Sequence, residues 1–167
     1  MWGILALTFG PATGLAGLVY PPLGFRLLRI CARLMLASAG IEVEVIGGDS
    51  IADARGTIFA SNHHSYVDIL SIIAGFPVDV YFVYKKSLLI LPGLNVALLG
   101  QRHIMVSDKK ASGSAKKMLK LGKKYLDSGK NIVIFPGGGL SVDESVGEFK
   151  GGAAALAIFT GAKLVPF

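Results

Sequence analysis

The spacing of hydrophobic and polar positions changes along this chain and marks out its elements. From Met1 to Phe25 no residue is charged. That run is long enough to cross a bilayer, for which about 20 apolar residues suffice. Gly10-Pro11 and Pro21-Pro22 interrupt it, so a broken helix is expected, embedded in one leaflet or spanning with a kink. A secretory signal is the competing reading, but no basic residues precede the apolar stretch. Leu23 to Ala39 has helical spacing. Arg26, Arg29 and Arg33 fall within about 60° of one another on a helical wheel, which predicts an interfacial helix with its arginines toward lipid head groups. The arginines also place the following chain on the cytoplasmic side if the first segment crosses.

Ile41 to Ile46 alternates apolar and acidic residues and predicts a half-exposed strand. Thr57 to Ser61 is a short apolar run that predicts a buried strand, followed by a helix from Tyr66 to Ala74. A third strand is expected over Val78 to Val83, a helix over Leu94 to Leu99, and a short strand over His103 to Val106. Ala111 to Leu126 predicts an amphipathic helix. Its polar face carries Lys116, Lys117, Lys120, Lys123 and Lys124, a solvated surface or a dock for an acidic carrier, coenzyme phosphates or anionic lipid. Asn131 to Phe135 reads as a buried strand, Gly151 to Thr160 as a helix, and Lys163 to Val165 as a last strand. Strands and helices alternate. The expectation is an α/β fold with a mixed, largely parallel sheet flanked by helices, preceded by an N-terminal membrane-associated helical segment. Residues 1–39 would form that segment and residues 40–167 the main domain.

Composition sharpens the picture. The 167 residues are 52% hydrophobic, with a formal net charge of +6 and a mean hydropathy of +0.59. A basic, apolar chain fits an anionic membrane surface or anionic substrates. No zinc-finger spacing or RNA-recognition signature points to nucleic acid. Cys31 is the single cysteine, so neither an intrachain disulfide nor a cysteine metal cluster is available.

The candidate chemistry lies at the end of the Thr57–Ser61 strand, where Asn62, His63 and His64 precede Ser65 and Asp68. A histidine on a strand-to-helix turn, with a carboxylate folded back onto it from the first helical turn, suits a general base. Asp68 on one ring nitrogen would fix the tautomer and leave the other nitrogen to take a proton. Two other readings are open. Ser65-x-x-Asp68 resembles a capping box, and adjacent histidines can be metal ligands, although no further ligand stands at a suitable spacing. The Pro136-Gly137-Gly138-Gly139 turn offers backbone N–H groups to an anion or is a plain flexible turn. It lacks the ending of a P-loop.

The order of these pieces resembles the glycerolipid acyltransferases typified by 1-acylglycerol-3-phosphate O-acyltransferase. Asn62, His63 and Asp68 match the family's Asn-His-x-x-x-x-Asp motif in full. Phe82, Val83, Lys85 and Lys86 match its Phe-Val-x-Lys-Lys segment, and Pro92-Gly93 the turn after it. Phe135, Pro136, Gly138 and Ser141 echo Phe-Pro-Glu-Gly-Thr-Arg-Ser. Phe149, Lys150, Gly152 and Ala153 match Phe-Lys-x-Gly-Ala, and Val165-Pro166 the Val-Pro pair, where this chain stops. The family continues for some tens of residues past that pair, so a truncated C-terminus is expected. Gly137, Gly139 and Leu140 replace the family's Glu, Thr and Arg, and Asp108 stands at the position of a second Arg.

The resemblance implies transfer of a fatty acyl group from acyl-CoA or acyl carrier protein to a lysophospholipid, above all lysophosphatidic acid. His63 would be the base, Asp68 its orienting group, and Asn62 a turn-ordering residue or oxyanion donor. Lys85, Lys86, Gly137, Gly138, Gly139 and Lys150 would contact substrate, with Arg102, Lys109 or Lys110 compensating for the missing arginines. No metal or bound organic cofactor is implied. The departures keep two alternatives: a different lyso-lipid acceptor, and an inactive membrane-binding relative.

Overall fold

The computed structural model describes residues 2–108, 113–138 and 149–167. Its elements in order are α1 (Trp2–Val19), α2 (Pro21–Ser38), β1 (Ile58–Ala60), α3 (Tyr66–Gly75), β2 (Val80–Lys85), α4 (Leu94–Gly100), β3 (Ile104–Val106), α5 (Ser114–Asp127), β4 (Asn131–Ile134), α6 (Gly152–Thr160) and β5 (Leu164–Pro166). The five strands form one sheet in the order β3-β2-β4-β1-β5. Every described pairing is parallel. The C-terminal ends of all five strands therefore lie along one edge of the sheet.

Helices cover both faces, which is why the strands read as continuous apolar runs rather than as alternating ones. Side chains still alternate between the faces. Ile58, Ile132 and Ile134 join Met118, Tyr125 and Leu126 of α5 and Leu156 of α6. Phe59, Val133, Val80 and Phe82 pack on Ile72 of α3 on the other face. Outside α3 lies α2, through Ala32, Leu36 and Ala74. Asn131 ties the entry ends together: its side chain accepts from Thr57 N at 3.1 Å and donates to Ala54 O at 2.8 Å.

Three expectations change. The alternating stretch Ile41–Ile46 forms no strand. The sheet edges are β3 and β5, and this segment reaches neither. Instead Val43 and Val45 lie over Gly75, where an added Cβ would stand 3.0 and 2.8 Å from them. Alternation reports one-sided burial, and a segment lying on a helix end satisfies that without a ladder.

The N-terminal helix carries through Pro11. Its break falls at extended Tyr20, just before Pro21-Pro22, where proline in a first helical turn costs nothing. Among the described residues no helix is long and apolar enough to cross a membrane. Glycines let α1 lie directly on α4: a Cβ at Gly10 would stand 2.3 Å from Gly93 O, and one at Gly14 2.2 Å from Val96 O. Buried Gln101 donates to Thr13 O at 3.0 Å across the same contact.

Two of the three arginines expected to face lipid turn to the protein. Arg29 donates to Ile73 O and Phe76 O and pairs with Asp79 at 3.1 Å. Arg33 donates to Ala74 O. The last carbonyls of a helix need donors and carry partial negative charge, and these guanidinium groups serve the end of α3. Arg26 stays exposed.

Candidate active site

Residues 61–65 leave the end of β1 and lead into α3. Ser65 is extended and accepts a hydrogen bond from Val67 N at 3.1 Å, which starts the helix. Asp68 then sits in the first helical turn. Its Oδ2 accepts from His63 Nδ1 at 3.0 Å, His64 N at 2.9 Å and Ser65 N at 2.9 Å. The His63 contact and the capping contact expected of Asp68 are thus both present, on one carboxylate oxygen. Burial opposes ionisation of Asp68 and is the largest single influence. The hydrogen bonds from Ser65, His63 and His64 together outweigh it, and the carboxyl is held below its ordinary range.

A carboxylate only accepts, so Nδ1 of the neutral His63 ring carries the proton and Nε2 keeps its lone pair. The imidazole is 9% exposed. It lies flat on Phe135, with ring centroids 4.1 Å apart and planes 16° from parallel. Phe82 stacks behind Phe135 at 6.4 Å. The His63 imidazole is thus held at its edge by Asp68 and on its face by a ring from the end of β4. From the sequence alone Phe135 stands out only as a position in the Phe-Pro-Glu-Gly-Thr-Arg-Ser resemblance. Its position, directly after a buried strand and before Pro-Gly, was the signal that it stands on the same edge as His63.

Asn62 is exposed, and its amide Nδ2 stands 2.8 Å from His64 Nε2. That contact ties the two ends of the turn together and uses one of the two amide N–H donors. Among the described residues no group of three or more His, Cys, Asp or Glu side chains is placed to hold a metal.

The other expected contacts divide by strand end. Lys85 ends β2, and exposed Lys86 follows it, both on the edge that carries His63. Gly137, Gly138 and Lys150 are on that edge too, at the end of β4. Lys150 N donates to Pro136 O at 2.9 Å. Arg102 is not there. It precedes β3 at the opposite edge of the sheet, with its carbonyl accepting from Tyr125 Oη at 2.6 Å. It cannot replace a missing arginine beside His63. Gly139, Leu140, Lys109 and Lys110 lie outside the described residues. Asp108 does lie on the site edge, but it is engaged: Ser87 N donates to it at 3.0 Å and Ser87 Oγ at 2.5 Å. Lys116, Lys117, Lys120 and Lys124 are exposed. A cleft of about 350 Å³, lined by Pro21, Arg55, Asp79 and Lys130 among others, opens at the entry ends of the strands and has no part in this constellation.

Known proteins resemble this chain in sequence and in fold. The family model described as Acyltransferase matches residues 42–167. A 1-acyl-sn-glycerol-3-phosphate acyltransferase of Borreliella burgdorferi is 30% identical over 86% of this chain and 57% of its own length. The enzyme of that name from Pseudomonas aeruginosa is 28% identical over 83% of this chain and 53% of its own. The chain thus spans a little over half the length of these relatives. The crystal structure of the 1-acyl-sn-glycerophosphate acyltransferase PlsC from Thermotoga maritima superposes with a TM-score of 0.68, at 21% identity, over 96% of this chain and 70% of that one. That likeness is one of fold. With the family model covering its whole sheet and the His63–Asp68 turn, this chain belongs to the acyltransferase family.

Proposed function

We propose that the protein transfers a fatty acyl group from an acyl thioester, acyl-CoA or acyl carrier protein, to the free hydroxyl of lysophosphatidic acid. The single observation that carries this reading is the 3.0 Å contact of His63 Nδ1 with Asp68 Oδ2, which leaves Nε2 as a base. Nε2 takes the hydroxyl proton as the oxygen attacks the thioester carbonyl carbon. Asp68 stabilises the imidazolium that forms, and the π face of Phe135 adds to this. Collapse of the tetrahedral adduct breaks the carbon–sulfur bond, and the imidazolium returns its proton to the thiolate. A thiolate leaves readily, so the step needs neither an acyl-enzyme nor a metal. The names of the relatives support lysophosphatidic acid as the acceptor.

The reaction is placed at a membrane. Leu15, Leu18, Val19, Tyr20 and Leu23 are exposed around the α1–α2 turn, in a stretch without charge. This hairpin tip is read as dipping into one leaflet, with Arg26 at the head groups and the domain on the cytoplasmic side.

The test is product analysis with purified protein in vesicles, using palmitoyl-CoA and an acyl carrier donor with lysophosphatidic acid and a panel of other lyso-lipids. Phosphatidic acid as the main product supports the reading. Turnover only with another acceptor moves the specificity, and no turnover with any pair overturns the activity.

A further inference from the structure

We infer that Lys150, laid across Gly138, holds the phosphate of the acceptor, and that Asp108 closes the β3 side of the site to it. This rests on the acyltransferase reading above and adds where the anionic head group sits. The resemblance expects arginine at Leu140 and Asp108 and glutamate at Gly137. None of those charges is present, so a head-group cation has to come from elsewhere.

Lys150 meets the geometric requirement. Its N–H is bonded to Pro136 O at 2.9 Å, which pins residue 150 to the turn after β4. Its side chain then runs over Gly138: a Cβ there would stand 2.6 Å from Nζ, 3.1 Å from Cδ and 3.2 Å from Cε. Gly138 has φ of 71°, a conformation that suits glycine. The missing Cβ is thus the groove in which the lysine stem lies. Among the described residues the ammonium has no carboxylate partner. The same turn begins at Phe135, whose ring lies on His63. One short turn therefore presents both the support of His63 and a cation that has no carboxylate partner among the described residues.

The β3 side is arranged the other way. Asp108 spends both oxygens on Ser87, and those bonds keep it in its charged form. It stands beside Lys85, close enough to feel that charge. A dianionic phosphate placed at the ends of β2 and β3 would meet the Asp108 carboxylate beside Lys85 and Lys86. At the end of β4 the charged side chain it meets, among the described residues, is Lys150.

The experiment compares lysophosphatidic acid with the monoacylglycerol of the same chain, which lacks the phosphate. Two readouts are used: steady-state turnover, and equilibrium binding to the His63→Ala protein. Lys150→Met keeps the stem and removes the charge. It should raise KM and Kd for lysophosphatidic acid by about 10- to 100-fold, the worth of one hydrogen bond to a charged group. Monoacylglycerol should be little affected, and Lys150→Arg should restore the phosphate preference. Asp108→Asn should tighten lysophosphatidic acid several-fold. Equal losses on both acceptors would make Lys150 a structural residue, and no loss on either would remove it from the site. Each of those outcomes overturns the inference. Binding that depends on Lys150 in a protein that transfers nothing would leave the anion site standing and overturn the acyltransferase reading instead.

Discussion

Asp68 Oδ2 holds both the helix cap and the His63 ring, and its capping role and its proposed catalytic role separate by mutation. Asn at 68 keeps an acceptor for His64 N and Ser65 N but loses the charge that steadies the imidazolium. Asp68→Asn should therefore cost about 1 kcal/mol of stability or less, the scale of a helix cap. Activity should fall by at least about 10²-fold, the lower end of general-base effects. Thermal melts and kcat on the same preparation check both. A large loss of stability with little loss of rate would leave only the cap. Phe135→Leu preserves burial and removes the flat ring under His63. It should lower kcat more than it raises KM if the ring acts through the proposed base, on which it is stacked.

At the scale of elements, the order of helices and strands was legible because each carries a periodicity set by burial. What escaped the sequence was which neighbour a face meets. The wheel correctly put Arg29 and Arg33 on one side of α2, but only the packed structure shows that this side faces the carbonyl end of α3. The α1–α4 contact left no hydrophobic signal, because glycines make it by having no side chain. A methyl group added at Gly14 has to displace Val96 O from 2.2 Å. Gly14→Ala should thus cost about 1 to 3 kcal/mol, the usual cost of overpacking, read as a fall in denaturation midpoint.

Between β2 and β3, His103 accepts from Phe82 N at 3.2 Å and is packed among Phe25, Tyr81 and Phe82. Burial pushes its pKa down from 6.5 to about 4. The unfolded chain protonates this ring at a higher pH than the folded one. Its contribution is therefore complete above pH 6.5 and declines as the pH falls toward 4. The total loss is about 3 kcal/mol. His103→Asn keeps an acceptor for Phe82 N and should flatten that part of the stability–pH curve. An unchanged slope would place the titration elsewhere.

For the whole molecule, the N-terminal helices belong to the packed body as well as to the proposed membrane face. Phe25, Ala32 and Leu36 of α2 are buried in it, so cutting off residues 1–39 would expose core and confuse unfolding with loss of an anchor. Charges placed on the exposed tip separate the two. The double variant Val19→Asp, Leu23→Asp should keep the fold and lose most sedimentation with anionic vesicles. Undiminished vesicle binding would remove the hairpin tip from the membrane contact.

The family was legible because Asn62, His63 and Asp68 follow a buried strand. The site around them was legible only in part. Phe135 comes to lie on His63 through a parallel sheet that sets the end of β4 beside β1, a neighbourhood that spacing along the chain does not disclose. The same sheet carries Arg102 to the far edge.

The most direct test of the account is kcat for acyl transfer to lysophosphatidic acid by wild-type and His63→Ala protein, at matched folded fraction in the same vesicles. If Nε2 of His63 is the base, the variant should fall by about 10²- to 10⁴-fold while still binding the acceptor. Retention of wild-type turnover in His63→Ala would contradict the mechanism, whatever the remaining geometry.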